Sequence, residues 1–127
     1  MMDKNYELIR KVIKEGKYKV LEDDGTRIIV RYQMNSILIN PGKDDDGFVA
    51  VMLPNFAEVN ADNLAEVVMR CHKLNETLKM VKLYTVNDVI FASAEFYFAG
   101  KKALAYQIKM ALNGVIAAKV SYRKMEK

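Results

Sequence analysis

Cysteine and histidine are almost absent from the sequence, which contains one of each, the neighbours Cys71 and His72. A lone cysteine cannot form an internal disulfide bond, and this is typical of proteins in a reducing cytoplasm. Adjacent helical side chains point about 100° apart, so this pair cannot readily hold one metal ion or act as nucleophile and base. We expect no zinc site and no thiol chemistry, with Cys71 in the core and His72 exposed.

Long apolar runs are also missing. The longest, from Ala111 to Val120, is interrupted by Asn113 and Lys119 and is about half the length that crosses a bilayer. The first residues are polar and charged, unlike a signal peptide. No glycine-rich phosphate loop occurs either. These absences predict a cytoplasmic protein that has no membrane contact, no bound nucleotide and no cofactor.

An acidic run, Asp44-Asp45-Asp46-Gly47, resembles part of a calcium loop. If Gly47 took the sixth loop position, Gly42 and Leu53 would occupy the first and last positions, where carboxylates are needed. We therefore interpret the run as a solvated turn and expect no metal site. The remaining acids are spread over predicted turns and solvated faces, so no catalytic residues can be assigned and we expect a protein that is not an enzyme.

Positive charge is concentrated at one end of the chain. The formal net charge is +4, yet residues 101–127 contain seven Lys or Arg and only Glu126 as an acid. Cations near the C-terminus of a helix complement its macrodipole, which is the simpler interpretation. The alternative is that this region meets nucleic acid or an acidic partner.

Hydrophobic spacing predicts three helices and five to six strands. Helices are predicted over 3–14, from Asp62 to about Leu78 with Asp62 or Asn60 as N-cap, and over 101–123. Strands are predicted over 18–22, 27–32, 37–39, 48–53, 79–86 and 89–98, with a type I′ turn at Asn87-Asp88. The order α-β-β-β-β-α-β-β-α predicts one α+β domain over 1–127, in which a single antiparallel sheet packs with the three helices.

Two apolar stripes are left over once the core has been assigned. In the last strand Ile90, Ala92, Ala94, Phe96 and Phe98 should face the core, which places Phe91 and Tyr97 on the opposite sheet face. In the last helix a second stripe containing Tyr106 and Met110 runs beside the core stripe. We predict that Phe91, Tyr97, Tyr106 and Met110 bind a partner. The alternative for the sheet face is that the first helix covers it.

Several local patterns resemble the YbjN family, whose members share the fold of the type III secretion chaperones. The resemblance covers roughly residues 15–122 and depends on Leu53-Pro54-Asn55-Phe56 before a helix with Val67, Cys71 and Leu74-Asn75, followed by Lys82-Leu83 on the next strand. It implies a non-enzymatic, often dimeric domain described as a bacterial sensory-transduction regulator, related in fold to proteins that bind extended effector segments. It supplies no catalytic or ligand residues. Those chaperones tend to be acidic, whereas this chain is basic.

The sequence therefore favours a protein-interaction or regulatory module that forms a homodimer and binds a polypeptide through the sheet face or the last helix. One alternative is single-stranded nucleic-acid binding through the basic last helix and Lys82. Another is a small-ligand site between the sheet and a helix.

Overall fold

The computed structural model describes residues 4–42, 47–54 and 56–126. Its nine elements follow the predicted order of helices and strands. They are α1 (Lys4–Glu15), β1 (Lys19–Asp23), β2 (Ile28–Tyr32), β3 (Asn35–Pro41), β4 (Phe48–Leu53), α2 (Leu64–Asn75), β5 (Val81–Val86), β6 (Val89–Tyr97) and α3 (Gly100–Met125). The acidic run falls largely on residues 43–46, which lie outside the described residues.

The six strands form one antiparallel sheet in the order β1-β2-β3-β4-β6-β5. Strands that are neighbours in the chain are neighbours in the sheet, except where α2 and β5 separate β4 from its partner β6. Two-residue turns join β2 to β3 and β5 to β6, since Tyr32 pairs with Asn35 and Val86 with Val89. The predicted α+β architecture is confirmed.

All three helices lie on one face of the sheet. The long helix α3 packs over β4, β6 and β5, while α1 lies on one side of it above β3 and α2 on the other side above β5. Alternate strand residues face these helices and are buried with them, among them Val30, Ile39, Val51 and Ala94. The first helix therefore adds to the core and does not cover the opposite sheet face. The alternative that α1 shields that face is wrong.

A glycine lets α3 approach the sheet closely. A Cβ atom placed on Gly114 would lie 2.8 Å from Cγ2 of Val81, the first residue of β5. Glycine normally weakens a helix interior, by about 1 kcal/mol relative to alanine. Its presence at this position is explained by the space that the buried Val81 side chain takes up.

Three local predictions need correction. Helix α2 begins at Leu64, and Asp62 does not cap it; the Oδ1 atom of Asn60 accepts hydrogen bonds from the backbone N–H groups of Asp62 and Asn63 in the preceding turn. Strand β3 is longer than predicted and extends to Pro41. In the β5–β6 turn Asn87 has φ of 55°, but Asp88 is not among the described residues with positive φ, so the turn is not type I′.

Candidate functional site

The described residues contain no group of three or more His, Cys, Asp or Glu side chains that could hold a metal ion. Cys71 is buried, as predicted, and this burial raises the pKa of its thiol, which disfavours the thiolate that a nucleophile requires. His72 is exposed, and its Nε2 atom lies 3.3 Å from Oε1 of Glu76. Cys71 is thus a core residue and His72 a surface residue, as the sequence predicted.

The sheet face opposite the helices is the first of two open apolar surfaces, and we call it the open face. Strand register places the same alternate positions of β2, β3, β4, β6 and β5 on it. Its apolar side chains include Ile29, Leu38, Phe48, Ala50, Met52, Tyr84, Phe91 and Tyr97. Residues at the middle of the face are shielded by their neighbours, and Ser93 is only 1% exposed although none of the described helices lies over it. The surface is therefore closely packed and apolar.

Aromatic and charged side chains on the open face hold one another in place. Tyr84 and Phe91 pack across β5 and β6 with their ring centroids 6.0 Å apart. Lys82 forms an ion pair of 2.7 Å with Glu95, and its amino group lies 5.7 Å from the centroid of the Tyr84 ring. Lys82, a residue of the nucleic-acid alternative, is thus paired with a carboxylate in the folded domain. Cross-strand neighbours of this kind stabilise a sheet surface without a covering layer.

The second open surface lies on the outer side of α3. A groove of about 460 Å³ runs between α3 and the loop that joins α2 to β5. Its apolar walls come from Met80 on the loop and from Tyr106, Met110 and Ala117 on α3. The exposed fractions are 47% for Met80, 66% for Tyr106 and 43% for Met110. Contiguous patches of large, exposed apolar side chains are uncommon on protein surfaces, and such patches often mark interaction sites.

The four residues predicted to bind a partner are divided between these two surfaces. Phe91 and Tyr97 lie on the open face, and Tyr106 and Met110 line the groove on the other side of the molecule. Sequence reasoning missed Met80, because it follows the predicted helix and carries no periodic signal; its proximity to α3 arises only in the folded chain.

Both edges of the sheet are protected against strand addition. At the β5 edge the side chain of Asn75 bonds the backbone of Leu83 in both directions, with Nδ2 donating to the carbonyl oxygen at 2.9 Å and Oδ1 accepting from the N–H at 2.7 Å. At the other edge, the β1–β2 register is irregular between Val20 and Glu22, and β1 carries charged side chains. Bulges and edge charges discourage pairing with another chain.

Comparison with known proteins places the chain in a family. The family model of YbjN, described as "putative bacterial sensory transduction regulator", matches residues 5–124. The chain belongs to the YbjN family. No curated protein matches it.

Two solved structures share the YbjN-family fold of this chain. One is the crystal structure of YbjN from E. coli, described as "a putative transcription regulator"; it is 10% identical, with a TM-score of 0.71 over 95% of this chain and 90% of that one. The other is an uncharacterized protein from Methanothermobacter thermautotrophicus, 17% identical, with a TM-score of 0.60 over 95% of each chain. At these identities the likeness shows the fold alone. The expected relation to type III secretion chaperones stays a prediction.

None of the helices in the described ranges is both long and apolar enough to span a membrane.

Proposed function

We propose that this chain is a non-catalytic regulatory domain that forms a homodimer through the open face and binds a polypeptide partner on its helical side. The observation that carries the proposal is the apolar open face itself, which none of the three described helices covers. The description of the family as a regulator supports the same class of function.

The size of the open face is compatible with a dimer. Six strands spaced about 4.8 Å apart and some five residues long present on the order of 500 Å² in projection. Two such faces together would bury about 1,000 Å², where specific protein interfaces begin. Sheets stacked in this way lie about 10 Å apart, and their side chains interdigitate.

Charge favours the open face over α3 as the contact between copies. The open face carries both signs, including the paired Lys82 and Glu95. By contrast, α3 contains six Lys or Arg and no acid between Gly100 and Met125. Two α3 helices facing each other would bring like charges together, which opposes association. The Asn75 contact at β5 and the irregular, charged β1 edge disfavour strand addition, which supports face-to-face stacking of the sheet.

The experiment is the molar mass in solution, measured by light scattering on a size-exclusion column over a range of loading concentrations. The chain mass is 14.5 kDa, so we expect about 29 kDa for the wild type. A Met52→Glu, Phe91→Glu double variant should fall to one chain while circular dichroism shows an unchanged fold.

The matched control is a Tyr106→Glu, Met110→Glu double variant, which adds the same two charges to the groove. This control should remain a dimer. A monomeric wild type would remove the homodimer from the proposal, and a monomer only in the control would move the interface to α3.

A further inference from the structure

The groove beside α3 is bordered by lysines and contains no acidic side chain. Lys79 lines it on the loop side. On the helix, Lys102 and Lys109 lie one turn before and one turn after Tyr106, and so flank it on the surface of α3. These three lysines are exposed, and within the described chain none of their side chains makes a hydrogen bond or an ion pair. The apolar strip is therefore bordered by unneutralised positive charge.

Other cations of α3 are already engaged. Lys101 forms an ion pair with Glu15 at 2.6 Å, Lys119 donates to Oδ1 of Asn35 at 2.8 Å, and Arg123 donates to the carbonyl oxygen of Phe56 at 3.2 Å. These contacts tie α3 to its own domain. Of the other α3 cations, Lys102 and Lys109 lie beside the groove, and Lys124 lies in the last turn of the helix.

One polar group in the groove wall also lacks a partner. Gln107 lines the groove and uses its Nε2 atom to donate to the carbonyl oxygen of Tyr97 at 3.2 Å. Its Oε1 atom is buried with no hydrogen bond among the described residues. Buried acceptors normally accept a hydrogen bond, so the unpaired Oε1 atom of Gln107 is an unusual feature of the groove wall.

We propose that the groove binds an acidic amphipathic polypeptide segment, with apolar side chains against Met80, Tyr106 and Met110 and carboxylates toward Lys79, Lys102 and Lys109. The inference depends on the proposed function in that it names the partner class of the same domain. A second copy of this chain does not suit the groove, because its own α3 is equally basic. The groove fits nucleic acid less well than an acidic peptide, because Tyr106 is the one aromatic ring among its lining residues and much of the remaining lining is apolar.

The test starts from a phage library of random peptides of about 16 residues, roughly four helical turns. The library is depleted on the Tyr106→Glu, Met110→Glu double variant and then selected on the wild type. We expect the enriched peptides to have a net negative charge and apolar residues spaced three or four apart. Enrichment of neutral or basic peptides would overturn the inference.

The strongest selected peptide is then labelled with fluorescein and titrated by anisotropy. Lys79→Glu and Lys109→Glu should each weaken binding about tenfold, and added salt should weaken wild-type binding. Lys11→Glu on α1 is the matched control and should stay within about twofold of the wild type, because it makes the same charge change away from the groove. Equal loss in the control would overturn the groove as the site.

Two further outcomes separate the inference from the proposed function. If peptide binding is lost in Met52→Glu, Phe91→Glu but kept in the groove variants, the chain still binds polypeptide, but on the open face and not on the helical side, and the acidic-groove inference is wrong. If no peptide is enriched over uncoated surface, both are wrong.

A fluorescent single-stranded oligonucleotide is titrated in parallel. If it binds more tightly than the peptide, and this binding is lost in Lys79→Glu and Lys109→Glu, the groove would be assigned to nucleic acid instead.

Discussion

The side chain of Asn75 takes the place of a neighbouring strand beside Leu83. Its amide donates to the backbone oxygen of Leu83 and accepts from the backbone N–H, at 2.9 and 2.7 Å. A primary amide offers the same donor and acceptor pair as a peptide group, so one side chain at the end of α2 closes the exposed edge of β5. Asn75 and Leu83 both belong to the local patterns on which the resemblance to the YbjN family depends.

Replacing Asn75 with leucine should destabilise the protein. The backbone N–H and carbonyl of Leu83 lose their partners in a partly buried position, which costs about 1–3 kcal/mol. Urea unfolding followed by circular dichroism measures the loss. Lys73→Leu on the same helix is the control, because Lys73 is exposed, and its change should stay within about 0.5 kcal/mol. Equal effects at both positions would contradict the edge-closing role.

The carboxylate of Asp24 should make the β1–β2 hairpin sensitive to acid. Its pKa is lowered from 3.8 to about 2 by backbone hydrogen bonds from Thr26 and Arg27, then by the Thr26 hydroxyl and the nearby Arg27 charge. A carboxyl whose folded pKa is depressed stabilises the fold above its unfolded pKa, and this is lost as the pH falls through its folded pKa.

The measurement for Asp24 is the urea midpoint of the wild type and of Asp24→Asn, which keeps an acceptor but cannot ionise. The wild type should be the more stable at pH 6, and the difference should shrink between about pH 4 and pH 2. A difference that stays constant over this range would show that the charge of Asp24 contributes nothing.

Gly114 and Val81 should behave as a coupled pair. Gly114→Ala gains about 1 kcal/mol of helix propensity, but its Cβ atom would meet Val81 Cγ2 at 2.8 Å, and overpacking typically costs 1–3 kcal/mol. We expect a net loss in the single variant. In a Val81→Ala background the same change should become neutral or stabilising, because the obstructing methyl group is gone. Additive free energies in this double-mutant cycle would contradict the close approach of α3 to β5.

Much of the fold follows from alternation and helical spacing. The element order, the burial of Ile90, Ala92 and Ala94 and the outward position of Tyr97 were all predicted correctly from period-two and 3.6-residue patterns. These patterns depend only on which side of an element faces the core, and burial of apolar surface dominates that choice.

Turns and edges were harder to predict. The β2–β3 turn places Gln33 and Met34 at φ of 48° and 67°, a conformation usually filled by Asn or Gly, so nothing in the sequence marked it. Pairing of β2 with β3 on either side of the turn offsets the cost of these two positive φ angles. The groove was missed for a similar reason, since Met80 and α3 are distant in the chain. Contacts of this kind depend on tertiary packing rather than on local propensity.

Distances between spin labels are the most direct test of the claim that two copies meet through the open face. Nitroxides would be attached at Ser36→Cys on the rim of the open face or at Lys109→Cys on α3, each in a Cys71→Ala background. With sheets stacked about 10 Å apart and a helical layer outside each, the Ser36 labels should be clearly closer together than the Lys109 labels. A shorter distance between the Lys109 labels, or no dipolar coupling at either position, would contradict the claim.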